Sequence, residues 1–117
     1  MNRLVNLMKI DTEGHDIIIL RSLHPYLEQI KSIIFECTSY WSGLQTTIDE
    51  LLFLRLHYEY MYILSRRGDP LLHRLTSTDS ITQFVNYSYE NKYQVDILVC
   101  HTPIQSIPVK PFPVTPP

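Results

Sequence analysis

The segment Leu7-Met8-Lys9-Ile10-Asp11-Thr12-Glu13-Gly14-His15-Asp16 constrains the fold of this chain most: an apolar strand runs into two carboxylates, a glycine and then a helix. After an intervening helical stretch, Ile33-Ile34-Phe35-Glu36 is a second short apolar strand that also ends on a carboxylate. Strand, helix and strand in so little chain predict a βαβ unit, whose two strands lie parallel. Carboxylates at the C-terminal ends of such strands stand where open α/β sheets bind ligands.

Val5 to Asp11 is read as the first strand, with Gly14 giving the turn its backbone freedom before a helix that starts near His15. Asp16 falls in the first helical turn, where it favours the helix dipole, and Ile17, Leu20 and Leu23 form a stripe at helical spacing. Pro25 disfavours helical geometry at His24, so the helix breaks or restarts there, and Tyr26, Leu27 and Ile30 lead into a strand from Ser32 to Cys37. Thr47 and Glu50 match a capping box ahead of a helix from about Thr47 to His57. Glu59 to Leu64 and Gln94 to His101 are rich in aliphatic and aromatic residues and read as a third and a fourth strand. A structureless connection over 65–93 is too long for a domain of this size, so Leu71 to Leu75 or Ser80 to Val85 is expected to form short elements. From Pro103 onward six prolines predict an extended or disordered tail, dividing the chain into a domain over 1–102 and a tail over 103–117.

A length of 117 residues suits one core, and a formal charge of −2 gives no general attraction to nucleic acid or to an anionic membrane. Apolar runs such as Tyr60 to Leu64 fall far short of the roughly 18 residues that cross a bilayer, and no apolar signal core opens the sequence. The expectation is a soluble protein without a membrane segment, cytoplasmic by default. Cys37 and Cys100 have no metal-type spacing and read as buried free thiols, and the five histidines never recur at helical ligand spacing, so no metal is expected. Asn86-Tyr87-Ser88 fits the glycosylation pattern by coincidence, there being no secretory signal.

The run Met8-Lys9-Ile10-Asp11-Thr12-Glu13-Gly14-His15-Asp16, followed by Leu20 and then Ile33-Ile34-Phe35-Glu36, resembles the C-terminal half of the FkbM-type methyltransferases, whose signature is a K-I-D-x-E-G strand, a helix, and a strand ending in phenylalanine and glutamate. The resemblance is specific over Leu7 to Glu36 and permissive from Thr47 to His101. It implies an α/β, Rossmann-like class I methyltransferase sheet, S-adenosylmethionine as cofactor, and methylation of a sugar or small-molecule hydroxyl. The family's glycine-rich turn and ribose-binding acid lie upstream of the K-I-D-x-E-G strand. Gly14, Gly43 and Gly68 are too far apart to form such a turn. The expectation is therefore a partial sheet, the fourth to seventh strands of the fold, with the cofactor-binding half missing and the chain inactive by itself.

Within that reading Asp11 and Glu13 face the cofactor and the acceptor, with Asp11 on the cofactor, Glu36 positions the acceptor hydroxyl, and His15 takes part in proton transfer. Neighbouring strands lie about 4.8 Å apart, close enough for these groups to converge. The plainer alternative is an Asx-type turn at Asp11, helix-terminus charges at Glu13 and Asp16, and a solvated Glu36. Two non-catalytic alternatives also stand: a remnant that folds as a dimer through the bare edge of its first strand and binds a partner rather than a cofactor, and an interaction module whose tail carries Pro108-Val109-Lys110-Pro111 and Pro113-Val114-Thr115-Pro116. The architecture expected is a mostly parallel sheet with helices on its faces, the last strand running antiparallel between the second and third. The two cysteines then sit about four residues, roughly 13 Å, apart along the strands.

Overall fold

The computed structural model describes residues 4–64, 72–105 and 109–111. In chain order the elements are β1 (Met8–Ile10), α1 (Asp16–Ser22), a 3-10 turn (His24–Gln29), β2 (Ser32–Cys37), α2 (Ser39–Ser42), α3 (Leu44–His57), β3 (Tyr60–Leu64), β4 (Leu72–Arg74), α4 (Thr78–Glu90), β5 (Val95–Cys100) and β6 (Val109–Pro111). The strands form one six-stranded sheet in the order β1-β2-β5-β3-β4-β6.

β1 pairs with β2 in parallel, Met8 facing Ile33 and Ile10 facing Phe35, as the βαβ reading requires. β5 runs antiparallel between β2 and β3, with Ile97 opposite both Phe35 and Ile63. The fold is thus α/β with a mixed open sheet. The expected predominance of parallel strands does not hold, because β4 joins β3 as a further antiparallel neighbour and leaves three of the five pairings antiparallel. Both short elements expected between the third and fourth strands are present, and the second is a full helix, α4, opened by a Ser77/Ser80 capping box. Part of that connection, 65–71, lies outside the described residues, as does most of the proline-rich tail with its second P-x-x-P segment. The described piece of the tail, β6, is extended and lies parallel to β4.

One helical layer covers one face of the sheet. Ile33, Phe35, Cys37, Met61, Ile63, Val95, Ile97 and Val99 alternate along β2, β3 and β5 and join the buried residues of α1, α3 and α4 in a single core. The opposite face gathers Tyr60, Tyr62, Leu64, Leu98 and Cys100 with Ile104 and Val109, and no helical residue belongs to that cluster. Helices on both faces, as expected from the sequence, are therefore not what the described residues form: α1 and α3 return the chain to the same side. Burying side chains of this size contributes about 1.5–3 kcal/mol each, so the one-sided core outweighs any single polar contact.

Two polar contacts pin α3 to the rest. Tyr58 donates its hydroxyl to Ile30 O at 2.7 Å, and the buried Glu50 meets His24 Nε2 at 2.7 Å beside the Phe53 ring. Burial pushes the Glu50 carboxyl up, while the bond and charge of His24 and the charge of Arg21 pull it back. The expected Thr47 capping box does not form. Gly43, at a φ of 98° open to glycine, starts the helix one turn earlier, and the Thr47 hydroxyl donates back to Gly43 O inside the helix. The Asn86-Tyr87-Ser88 pattern falls inside α4 with Ser88 buried against Ser39.

Both cysteines are free and buried. Cys37 faces Val95 and Cys100 faces Ser32, five residues apart along the β2–β5 ladder or about 17 Å. Burial, helped by the charge of Asp16, pushes the Cys37 thiol from 9.0 up to about 12, and burial pushes the Tyr58 hydroxyl from 10.0 up to about 12. Between those values the unfolded chain releases protons that the folded chain retains, so stability is lost as pH rises through the window from 9 to 12. The unfolding free energy, measured by urea titration at about pH 8 and about pH 10.5, is expected to fall by about 2 kcal/mol more in the natural chain than in Cys37→Ala.

Candidate functional site at the turn after the first strand

β1 ends at Ile10, and the chain must reverse before α1 begins at Asp16. Glu13 does so in the left-handed region at a φ of 53°, followed by Gly14 at 105°. A non-glycine residue there costs on the order of 1–3 kcal/mol and persists only where its surroundings over-determine it. The buried Asp16, 1% exposed, supplies that constraint. Its Oδ1 accepts from the Thr12 amide at 3.0 Å and from the Thr12 hydroxyl, and its Oδ2 accepts from the Glu36 amide at 2.7 Å. Glu36 lies one residue beyond the last β1–β2 partner pair, Ile10 with Phe35, so the carboxylate takes the place of a strand that has ended. Hydrogen bonds to a charged group contribute about 1.5–3 kcal/mol each, against roughly 0.3–1 kcal/mol for a charge at a helix end. Holding the turn to β2 is therefore the larger role of Asp16, beyond the helix-dipole role visible in the sequence.

Gly14 is needed for a second reason. A Cβ there would stand 2.3 Å from Cε3 of Trp41, whose indole lies against the glycine backbone. Trp41, projecting from α2, and Gly14 form one wall of a groove of about 510 Å³ that Glu13, His15, Ile18, Arg21, Ser42 and Thr46 complete. Although Trp41 packs on Gly14 it remains 59% exposed, and Ile18 beside it is 66% exposed. The groove mixes a carboxylate, a guanidinium, an imidazole and two hydroxyls with an indole and aliphatic surface. Such a lining can seat a small polar molecule with one apolar face. A smaller groove of about 270 Å³, holding the His24–Glu50 pair, shares Arg21 and Thr46 with it.

The structure brings together two of the four site residues expected from the sequence. Glu13 and His15 line the groove. Asp11 is exposed at the start of the same turn and is not part of the groove wall. Glu36, 9% exposed, stands between Phe35 and Cys37, both of which face the helical core, so its side chain belongs to the other face of the sheet, across from Asp96. Glu36 is thus neither solvated nor in the groove, and its amide is what ties it to the turn. Sequence reasoning missed Trp41, Arg21 and Thr46. Trp41 belongs to a single-turn helix too short to show periodicity, and its one legible signal was being the chain's single tryptophan. Among the described residues no group of three or more histidine, cysteine or acidic side chains is placed to hold a metal.

Asp16→Asn replaces one acceptor by a donor facing amides, and is expected to cost about 2–4 kcal/mol in chemical denaturation. Gly14→Ala is expected to cost about 1–3 kcal/mol, because it meets both the φ restriction and the indole, whereas Glu13→Gly leaves stability unchanged or raises it by about 1 kcal/mol.

No protein-family model matches this chain, no curated protein matches its sequence, and no solved structure matches its fold.

Proposed function

We propose that the chain is the acceptor-side part of an S-adenosylmethionine-dependent methyltransferase acting on the hydroxyl of a small molecule or glycan. The observation that carries this reading is the order β1-β2-β5-β3, in which an antiparallel strand is inserted between two strands of common direction, together with a carboxylate-bearing turn after β1. That order is what the fourth to seventh strands of a class I methyltransferase would make, and it accompanies the K-I-D-x-E-G sequence of the FkbM type.

The described residues do not by themselves fit the cofactor. No described strand is followed by a glycine-rich turn, and the space beside Gly14 is filled by Trp41. What these residues contribute is orientation. The groove holds the acceptor, and the Glu13 carboxylate and the His15 imidazole stand on its wall as groups able to accept the hydroxyl proton. Asp11 is exposed at the start of the same turn.

Calorimetric titration of the 117-residue chain with S-adenosylmethionine is expected to show no binding tighter than about 1 mM. In a chain extended upstream by a strand, glycine-rich turn and helix, Glu13→Gln is expected to lower the single-turnover methyl-transfer rate by about 100-fold, with a smaller change in cofactor affinity. Tight binding by the short chain, or unchanged transfer in both Glu13→Gln and Asp11→Asn, contradicts the reading.

A second reading rests on a different observation. β1 is an edge strand, and Leu4 and Leu7 beside it are 57% and 53% exposed. An exposed apolar edge is a template for pairing, so the non-catalytic alternative is self-association through β1. Sedimentation velocity is expected under that reading to show a dimer that Leu7→Lys dissociates, and a monomer at every concentration removes it.

A further inference from the structure

We propose that the helix-free face of the sheet is a receptor for an extended, proline-bearing strand, that the chain's own tail is its resident, and that the tail of a second copy exchanges with it. This seat lies toward the sheet edge opposite β1, so it is independent of both the transferase reading and self-association through β1.

The seat is occupied by an identified segment. Tyr60, Tyr62, Leu64 and Leu98 share the face whose cluster includes no helical residue, and Tyr62 is nevertheless only 2% exposed. Ile104 and Val109 of the tail pack against this strip, and the Ile104 amide donates to the Tyr62 hydroxyl at 3.1 Å. Beyond the strip, β6 adds to β4 in parallel, Val109 beside Leu72 and Pro111 beside Arg74. β5 ends at Cys100, opposite Tyr60, whereas β6 begins toward the end of the sheet where Leu64 faces Asp96. A parallel entry therefore carries the tail back along the strands, and the Ile104–Tyr62 bond sets that return on the helix-free face.

The pattern selects an extended peptide with prolines. The stacked Tyr60 and Tyr62 rings, 6.3 Å apart, give the strip aromatic surface, and the Arg74 guanidinium lies 4.6 Å over Tyr60. The outer side of β4 offers backbone groups to an added strand, which gains affinity from main-chain pairing and specificity from its alternate side chains. The resident belongs to Pro108-Val109-Lys110-Pro111. Proline is tolerated on an edge strand, and Pro111 has no N–H to offer a further one, so exchange between copies closes in pairs instead of extending the sheet.

The hold is light. Among the described residues, three backbone pairs and two partly exposed side chains seat the tail, and contacts this few open readily. Its tether keeps it in place: Ile104 follows the end of β5 by four residues, and a linker that short gives a local concentration on the order of 1 mM. A tail from a second copy competes at that level, or binds once the resident is released.

The test compares the natural chain with a full-length variant carrying Ile104→Asp and Val109→Asp, which releases the tail and leaves the strip as it is. The probe is a synthetic peptide of residues 103–111, titrated into each isotope-labelled chain while the backbone amide spectrum is recorded. The released variant is expected to bind it with a Kd of about 0.1 mM, and the natural chain about tenfold more weakly, the ratio of that affinity to the local concentration of the tethered tail. The shifts are expected at the amides of β3 and β4 and not at those of β1, and a peptide carrying the same two aspartates gives none. Unlabelled natural chain at about 1 mM is expected to produce the same shifts in the labelled variant, through its own tail. Circular dichroism establishes that the variant is folded, and if it unfolds, Val109→Ser, a milder release, is titrated in its place by the same criteria. No shifts in the folded released chain, shifts at β1 instead, or equal affinity in the natural and released chains overturns the receptor. Shifts with the peptide but none with the natural chain overturn the exchange between copies.

Discussion

The Asp16 carboxylate is the contact on which the site depends. β1 has three residues and β2 has six, so β2 outruns its neighbour, and the backbone beyond Ile10 must leave the sheet and reverse within a few residues. A buried charge is costly unless its hydrogen-bonding capacity is filled. Here the same three donors that fill it, the Thr12 amide and hydroxyl and the Glu36 amide, are the groups that need holding. The strained Glu13 conformation and the meeting of Gly14 with Trp41 follow from that anchorage, and the groove wall follows from them.

Much of the sheet was legible because its signals are local and strong. Alternating or continuous apolar runs at Ile33 to Cys37 and Val95 to Cys100, and the short βα turn before α1, leave few arrangements open. What could not be read depends on contacts distant in sequence. Glu50 looked like a helix cap and is instead the buried partner of His24, 26 residues earlier. Glu36 looked convergent with Asp11 and Glu13 because it ends a neighbouring strand. Strand parity sends its side chain to the face away from the helical core and so away from Glu13 in the groove, and that parity is fixed by which of its neighbours the helices cover. Trp41 lies in a four-residue helix whose position is set by Gly14 and by a buried Ser39–Ser88 pair, 49 residues apart in sequence.

Among the described residues the sheet carries helices on one face and β1 has no strand beyond it, and that edge ties the two functional readings together. It lies beside the turn that carries Asp11 and Glu13, so whatever pairs with β1 also stands next to the groove. Under the transferase reading that neighbour supplies the cofactor's seat. Under the self-association reading it is a second copy. In both, the turn is held from below by β2 through the bond from the Glu36 amide to Asp16 and from the side by Trp41 of α2 against Gly14.

Amide hydrogen exchange at Glu36 tests the central role of Asp16 most directly. Its N–H is donated to a carboxylate one position past the last paired residue of β1, so protection there reports on that bond and not on the strand ladder. The account predicts that the Glu36 amide exchanges as slowly as those of Phe35 and Ile97 in the core of the sheet, with the Thr12 amide also protected. Exchange of Glu36 at the rate of an exposed loop amide, in a chain whose Phe35 remains protected, would contradict it.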